Sequence, residues 1–414
     1  MTPRSLRLCF VADASNIHVR RWLGYFVAQG HTALCISDKP GTIDGVEMIE
    51  APTRDSLLAS GRKAAKTDVV KARARVIQTV AERWRPDVVH AIFLYMRGWS
   101  AALANVHPLA ITLLGSDIFL PMGQYRNRLH WMRDVALNQG ALRQADLVTA
   151  VNAALATEAR RLAGEATPLA LIPIGTDLGV FQPQADPVRQ QALRETLALP
   201  STAWIILSPR QIAPIYNIEI LLDAMPGVLA KIPNAVLLLK DAFGDSEARQ
   251  HYVGELKARA QSLGLLDATR WIGEVPYGSL PDYYHLADAV VSIPSTDGLP
   301  VTLFDAMACG TPVITGDLPS YDDIAIHERS GLRLSSLTPQ ALCEALIRLH
   351  GDAPLNARLI DGGREIAASA GCFETQMAKM EALYQSLAGP TPGGGLRLSS
   401  VFNDLVYKTL IRAC

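Results

Sequence analysis

The sequence AVVSIPSTDGLPVTLFDAMACGTPVIT, residues 289–315, places an apolar run, a polar turn, a helical segment and a second apolar run in direct succession. The first run, AVVSIP (289–294), is apolar on both faces, as is typical of a strand buried on both sides of a parallel sheet. Pro300 stands near the first turn of VTLFDAMAC, and Gly310 follows its end, the usual residues at those two places. The stretch therefore predicts one strand–helix–strand unit of a doubly wound α/β sheet.

The same alternation runs through most of the chain. Short apolar runs are separated by longer helical stretches, including 18–29, 56–83 and 126–143. This rhythm predicts parallel sheets that are covered by helices on both sides. The predicted strands are 8–12, 32–37, 87–92, 109–115, 146–151 and 169–175 in the first half, and 203–208, 235–240, 269–273, 289–294, 312–316 and 331–335 in the second.

Twelve strands are too many for one compact domain of this kind. The segment PIGTDLGVFQPQADP (173–187) is rich in Pro, Gly and Asp and separates the strands six from six. We expect a first domain over residues 1–175 and a second over 176–372, both doubly wound and facing each other. Because ligands bind beyond the carboxyl ends of strands in such sheets, two facing sheets predict a deep interdomain cleft.

Composition excludes several classes of protein. The 414 residues are 49% hydrophobic with a net charge of −1, which does not favour nucleic-acid binding. Its 6 cysteines include no C-x-x-C pair, so we expect reduced core thiols in a cytoplasmic protein. The apolar run 6–12 is too short for a signal segment, and no uninterrupted apolar run is long enough to span a membrane. Neither an Asp-x-Asp triplet nor a G-x-G-x-x-G after the first strand occurs, which argues against a metal-bridged diphosphate and a nicotinamide cofactor.

The helix start at Val301 and Thr302 predicts a phosphate site. Amide groups at a helix N-terminus and the positive end of its dipole favour an anion. Asp305, about one turn further in, suits the vicinal hydroxyls of a ribose, and Asp297 suits hydroxyls of the group that the phosphate carries. The alternative is that Asp297 only caps the helix and Asp305 is an exposed helix residue. The turn that precedes the helix consists of Gly298, Leu299 and Pro300.

Two cations follow predicted strands of the second half. Arg210 ends AWIILSPR, and its fork of donors at the sheet edge suits a diphosphate. Lys240 ends the neighbouring strand and is the nearest further cationic candidate. A solvated strand end is an equally good interpretation of Lys240.

These segments resemble the GT-B retaining glycosyltransferases of family 4, the glycosyl transferases group 1. The resemblance covers residues 6–388, and its C-terminal part is the opening stretch, with Asp297 and Asp305 at the positions of the two signature acids. Three departures are Asp305 in place of Glu, Ile215 in place of Lys and Leu114 in place of His. The other matching segments are 10–37 with His18 and Trp22, LLGSDI (113–118), LIPIGTDLGVFQP (171–183), LSPRQIAPIYNIEILLDAM (207–225) and GEVPYGSLPDYYHLADAVVS (273–292).

The resemblance implies two facing Rossmann-like domains and a metal-independent transfer of a hexose from a nucleoside diphosphate sugar, by default a UDP-sugar, to a glycan or lipid-linked acceptor. It implies no further cofactor. The helix 373–388 is implied to cross back to the first domain. The transfer residues implied are Arg210, Asp297 and His18, and the residues expected to line the acceptor side are Asn16, Gly115, Ser116 and Asp117. For the GSD loop, a structural turn is the alternative.

Two basic stretches, 62–75 and 125–133, lie in the first half of the chain. Solvated helix faces are one interpretation. Contact with anionic lipid or a lipid-linked acceptor at the inner face of the membrane is the other. The amphipathic segment 396–414 is expected to pack on the body or to bind an interface or partner.

Two other functions remain open beside transfer. The departures at Leu114, Ile215 and Asp305 motivate a non-catalytic GT-B subunit that binds a sugar nucleotide or a partner enzyme. A sugar-nucleotide epimerase of the same fold is a third hypothesis, and it needs catalytic acids unlike those of this sequence.

Overall fold

The computed structural model divides the chain into two compact units. Unit 1 comprises the residues up to Pro173 together with those from Gln376 onward, and unit 2 comprises Ile174–Thr375. Each unit is built on one sheet. The residues that the structure describes are 4–62, 64–115, 117–120, 125, 127–241, 247–298 and 301–389.

The sheet of unit 1 has seven strands, all paired in parallel, in the order β3-β2-β1-β4-β5-β6-β7. The order reverses between β1 and β4, whose registered pairs include Cys9 with Val89. Such a reversal is the point where doubly wound sheets bind ligands. The strands are β1 (Arg7–Ala12), β2 (Thr32–Ser37), β3 (Val46–Glu50), β4 (Val88–Ile92), β5 (Leu109–Leu113), β6 (Leu147–Ala150) and β7 (Leu169–Leu171).

The helices of unit 1 connect these strands as crossovers. The first begins after Asn16, whose side chain accepts hydrogen bonds from two backbone N–H groups of its first turn. The helices are α1 (Ile17–Ala28), α2 (Arg54–Ala59), α3 (Lys66–Trp84), α4 (Trp99–Ala104), α5 (Arg128–Gln144) and α6 (Ala153–Ala163).

Unit 2 repeats the plan with six strands in the order β10-β9-β8-β11-β12-β13. Alternate residues of β8 and β9 enter two separate cores: Ile206 and Leu237 lie in one, and Leu207 and Val236 in the other. The sheet is therefore apolar on both faces because helices cover both. The strands are β8 (Trp204–Ser208), β9 (Ala235–Lys240), β10 (Thr269–Ile272), β11 (Ala289–Ser292), β12 (Val313–Thr315) and β13 (Leu332–Arg333).

The helix of the opening stretch, α11, runs over Val301–Cys309, as predicted. Gly310 follows it with φ +80°, a left-handed conformation that favours glycine after a helix. The helices of unit 2 are α7 (Pro187–Thr196), α8 (Ile218–Leu229), α9 (Glu247–Ser262), α10 (Leu280–Leu286), α11, α12 (Pro339–Gly351) and α13 (Ala353–Ala368).

The last described helix, α14 (Phe373–Ala388), begins in unit 2 and continues in unit 1 from Gln376. Within unit 1 its Tyr384 is fully buried, and the centroid of its ring lies 5.0 Å from that of Phe26 and 5.6 Å from that of His90. The chain therefore passes from one unit to the other twice, and α14 contributes to the core of unit 1.

Two predictions about the elements were wrong. The strand β3 was missed, so the sheets have seven and six strands rather than six each. Its sequence VEMIE contains two glutamates and none of its residues is fully buried, because β3 is an edge strand. The predicted helix 56–83 is two helices, α2 and α3, separated near Gly61, whose φ is +71°.

The twelve predicted strands are confirmed, with ends that differ by a few residues. The segment 396–414 lies outside the described residues. Within the described chain, no helix combines the length and the apolar character that crossing a bilayer requires.

Candidate functional site

Arg210 follows β8, the strand at which the order of the sheet in unit 2 reverses. Its Nη1 lies 2.9 Å from Asp297 Oδ2 and donates a hydrogen bond of 3.3 Å to Thr302 Oγ1. Its Nη2 donates to the hydroxyl of Tyr216 at 3.2 Å, and the guanidinium carbon lies 4.5 Å from the centroid of that ring. The residue thus contacts the loop after β11 and the first turn of α11 together.

Asp297 lies in the loop after β11, the strand beside β8. Its Oδ2 accepts a second hydrogen bond, of 2.9 Å, from the hydroxyl of Tyr321. Tyr321 is fully buried and ends a short helical turn, Pro319–Tyr321, that follows β12. We call Arg210, Tyr216, Asp297, Thr302 and Tyr321 the Arg210 cluster.

The protonation states of this cluster suit anion binding. Burial, the largest single effect, lowers the pKa of Arg210, but the Asp297 carboxylate and the hydroxyls of Tyr216 and Tyr321 together raise it above its ordinary value, so the guanidinium stays charged. Burial, reinforced by Asp297, raises the pKa of Tyr321, so its hydroxyl stays a donor. Burial lowers the pKa of Lys240; Glu274 opposes this shift and the charge of Arg210 adds to it. Lys240 is therefore within electrostatic reach of Arg210.

The first turn of α11 completes the site. Val301 is buried and Thr302 is half-buried, and the positive end of the helix dipole points to the place that the Arg210 guanidinium contacts. Gly298 is described and half-buried, whereas Leu299 and Pro300 lie outside the described residues. A helix start beside a guanidinium can stabilise a bound or developing oxyanion.

Asp305 lies deeper than the sequence suggests. It is 4% exposed, and its Oδ1 accepts a hydrogen bond from the hydroxyl of Thr176. The alternative of an exposed helix residue is therefore wrong. The carboxylate of Asp305 is thus engaged inside unit 2. A contact of Asp305 with ribose stays a prediction.

Two further hydrogen bonds join the loops that carry Arg210 and Asp297. The N–H of Ser295 donates to the carbonyl of Ile215 at 2.8 Å, and Asn217 Nδ2 donates to the carbonyl of Ile293 at 2.7 Å. These bonds fix the loop after β8 against the loop after β11. Ile215, at the position where the resemblance expects a lysine, is 41% exposed.

The predicted acceptor-side residues lie in unit 1. Asn16 caps α1 and accepts from the N–H of His18 at 2.8 Å. Asp117 is fully buried and accepts hydrogen bonds from the N–H groups of Leu114 and Gly115 at 3.1 and 2.8 Å. This geometry favours the alternative of a structural turn for the side chain of Asp117. Ser116 lies outside the described residues.

Sequence reasoning did not find Tyr216 and Tyr321. Tyr216 follows Ile215, the position where the resemblance expects a lysine. The missing lysine was the one sequence signal that could have directed attention to Tyr216. Tyr321 gives no local signal, because it lies 24 residues from Asp297 along the chain. Only the adjacency of β11 and β12 brings the two loops to one edge.

Two family models match the chain. The model described as glycosyl transferases group 1 matches residues 189–366, which include the whole Arg210 cluster. The model described as glycosyl transferase 4-like matches residues 7–152. Together they cover the sheets of both units apart from β7.

The chain is also similar to two bacterial proteins named D-inositol 3-phosphate glycosyltransferase. The protein of Jonesia denitrificans is 28% identical over 193 residues, 47% of this chain and 46% of that protein. The protein of Xylanimonas cellulosilytica is 28% identical over 310 residues, 74% of this chain and 68% of that protein. The matched parts thus span about half to two thirds of these relatives.

Among solved structures, HepE of Anabaena in complex with UDP and glucose has a TM-score of 0.75 and 18% identity, with 92% of this chain and 100% of that chain covered. At this identity the likeness concerns the fold. With the two doubly wound sheets, it confirms the GT-B fold that the sequence resemblance implied.

Proposed function

Because this chain belongs to the glycosyl transferases group 1, we propose that it transfers a hexose, with retention of configuration, from a nucleoside diphosphate sugar to a glycan or lipid-linked acceptor. The observation that carries the proposal is the contact of Arg210 with both Asp297 and Thr302, at 2.9 and 3.3 Å. This contact brings a cation, a carboxylate and the start of α11 together where the strand order of the sheet in unit 2 reverses, between β8 and β11.

The proposed chemistry requires stabilisation of two developing charges. Departure of the nucleoside diphosphate leaves negative charge on the phosphate oxygens, and preorganised donors lower the energy of that state. In our proposal Arg210 and the amides of Val301 and Thr302 contact the diphosphate, with Lys240 nearby. Retention is proposed to follow from front-face attack assisted by the leaving phosphate.

Asp297 has two tasks in this proposal. In the absence of donor it neutralises Arg210, and with donor bound it accepts hydrogen bonds from the sugar hydroxyls. Tyr321 supports the second task, because its hydroxyl keeps one hydrogen bond to Oδ2 when the guanidinium turns to phosphate. UDP is the preferred nucleotide in the proposal, and HepE with UDP and glucose supports this choice as an analogy of fold.

Two observations favour a second candidate, a non-catalytic subunit that binds a sugar nucleotide. Asp305 is engaged with Thr176 inside unit 2, and Ile215 replaces the lysine that the resemblance expects. Both features reduce the number of groups available to the leaving nucleotide. This candidate predicts nucleotide binding without turnover.

A panel of UDP-, GDP- and ADP-sugars tests the proposal. Thermal shift is expected to select one nucleotide, and hydrolysis of that sugar donor in the absence of acceptor is expected to be slow but measurable. Binding with no hydrolysis and no transfer to any acceptor would favour the second candidate. No binding of any nucleotide by the intact chain would reject both.

A further inference from the structure

The two basic stretches of the sequence meet in unit 1. Lys66 of the first is the first residue of α3, and Arg133 of the second lies in the second turn of α5. Both side chains reach Asp134, and Tyr95, from the segment after β4, joins them. With Tyr125 these residues form what we call the Lys66 cluster.

Asp134 is the fully buried centre of this cluster. Its Oδ2 accepts from Lys66 Nζ at 2.8 Å and from the hydroxyls of Tyr95 and Tyr125 at 3.4 and 3.3 Å. Its Oδ1 accepts from Nε and Nη2 of Arg133 at 3.0 and 2.8 Å. Within the cluster, two cations therefore surround one carboxylate.

The cations reach the surface, whereas the carboxylate does not. The side chains of Lys66 and Arg133 are 30% and 23% exposed, against 0% for Asp134. The ammonium of Lys66 also lies 4.7 Å from the ring centroid of Tyr95 and 5.8 Å from that of Trp99. The aromatic rings and the carboxylate hold the cations in place, and both cationic side chains remain partly accessible to solvent.

The location agrees with a binding site. In a doubly wound sheet the helices run antiparallel to the strands, so the first turns of α3 and α5 lie at the carboxyl edge, where β4 ends. β4 and β1 flank the reversal of strand order in this sheet. The Lys66 cluster therefore occupies the ligand-binding edge of unit 1.

The backbone that carries Tyr95 is strained. Phe93 has φ +88° and Met96 has φ +54°, both in the left-handed half of conformational space that bulky residues avoid. The N–H of Leu94 donates to buried Asp117 Oδ2 at 2.9 Å, which helps to hold the segment. Strain of this kind is concentrated at functional sites, and here it brings Tyr95 to the two cations.

We propose that Lys66, Arg133 and the hydroxyl of Tyr95 bind a phosphate group of the acceptor. Arginine supplies a fork of donors and lysine a compact charge, and both suit phosphate oxygens. The Tyr95 hydroxyl can turn from Asp134 to the phosphate, while Asp134 keeps the cations oriented. This inference rests on the proposed function, and the phosphate named in the acceptor of two relatives supports it.

Calorimetric titration of the intact protein tests the site with D-inositol 3-phosphate, myo-inositol and inorganic phosphate. We expect D-inositol 3-phosphate to bind at least about tenfold more tightly than myo-inositol, because charge-assisted hydrogen bonds form only with the phosphate. Lys66→Gln and Arg133→Gln are each expected to remove this preference. Lys71→Gln, on the same helix α3, is the matched control and is expected to keep it.

Asp134→Asn provides a second, opposite test. It removes the negative charge beside the cations, so phosphate binding is expected to tighten severalfold, and this gain is informative even if Lys66→Gln does not fold. The source of the phosphate is separated with phosphatidylcholine vesicles that contain or lack phosphatidic acid. Sedimentation that requires phosphatidic acid and Lys66, without affinity for D-inositol 3-phosphate, would assign the phosphate to a lipid headgroup.

The inference is overturned if neither soluble phosphate nor phosphatidic acid vesicles bind in a Lys66-dependent manner. UDP binding is measured in the same samples. If UDP binds and phosphate does not, the donor proposal survives and the phosphate site fails. If phosphate binds and no nucleotide does, the phosphate site survives and the donor proposal fails. The failures of the two proposals are therefore distinguishable.

Discussion

The guanidinium of Arg210 and the carboxylate of Asp297 form an ion pair of 2.9 Å across the carboxyl ends of two adjacent strands, β8 and β11. Both side chains are largely buried, with 13% and 10% exposure. The Asp297 carboxylate is thus already paired with the guanidinium that we propose to bind the donor diphosphate. Donor binding then requires an exchange of one anion for another.

Asp297→Asn is expected to tighten the binding of UDP by about tenfold, because the diphosphate no longer competes with a resident charge. Transfer is expected to slow, since the amide is a weaker acceptor for the sugar hydroxyls. Isothermal titration with UDP and a steady-state transfer assay measure the two effects. Weaker UDP binding in Asp297→Asn would contradict the exchange.

Arg210→Ala is expected to weaken UDP binding by roughly 30- to 100-fold, because it removes the donors and leaves Asp297 as an uncompensated repulsive charge. Arg210→Lys is expected to lie in between, since lysine keeps the charge and loses the fork. Arg259→Ala is the control, because Arg259 pairs with Asp223 at the surface of the same unit. Equal affinity in Arg210→Ala and Arg259→Ala would remove Arg210 from the site.

Tyr216→Phe tests which part of this tyrosine positions Arg210. The ring contact at 4.5 Å survives in phenylalanine, and only the 3.2 Å hydrogen bond is lost. We expect KM for the donor to rise by no more than about fivefold, whereas Tyr216→Ala, which also loses the ring, raises it further. An equal rise of KM in Tyr216→Phe and Tyr216→Ala would show that the ring does not position Arg210.

The strand patterns predicted the two sheets because buried parallel strands are continuous apolar runs, as in LCFVA and AVLLLK. The edge strand β3 escaped detection because VEMIE contains two glutamates and is not a continuous apolar run. Arg210, Asp297 and Thr302 could be predicted because each follows a strand or starts a helix at the same sheet edge. Tyr321 could not, since it depends on the pairing of β11 with β12 and not on a local pattern.

Thr176→Val is expected to lower the free energy of unfolding of unit 2 by about 1–3 kcal/mol, because the buried Asp305 loses a hydrogen-bond donor. Thr196→Val is the control, since that hydroxyl donates to the carbonyl of Ala192 at an exposed helix end. Its effect is expected to stay within about 0.5 kcal/mol. Urea unfolding monitored by tryptophan fluorescence distinguishes them, and equal midpoints would show that the Thr176 bond contributes nothing.

Stability is expected to fall with acidification because of His90. Burial lowers the pKa of His90 from 6.5 to about 3, and its Nε2 shares a 2.7 Å hydrogen bond with Thr112. Below pH 6.5 the unfolded chain takes up a proton that the native chain does not. The stability linked to neutral His90 is therefore fully present above pH 6.5 and is lost as the pH falls toward 3.

Between pH 7 and pH 5 the loss from this residue amounts to about 2 kcal/mol. Denaturant titrations at several pH values are expected to show a shallower pH dependence in His90→Gln than in the wild type. His251→Gln, at an exposed position of α9, is expected to keep the wild-type slope. The same slope in His90→Gln and wild type would refute a native neutral imidazole.

The return of the chain to unit 1 through α14 has a consequence for biosynthesis. A ribosome that has just completed Thr375 has made all of unit 2, while unit 1 still lacks Tyr384, which packs on Phe26 and His90. The unit that emerges first is thus the last to be completed. The sheet of unit 1 is synthesised some two hundred codons before α14, so until α14 is made the side chain of Phe26 in α1 lacks the aromatic partner Tyr384.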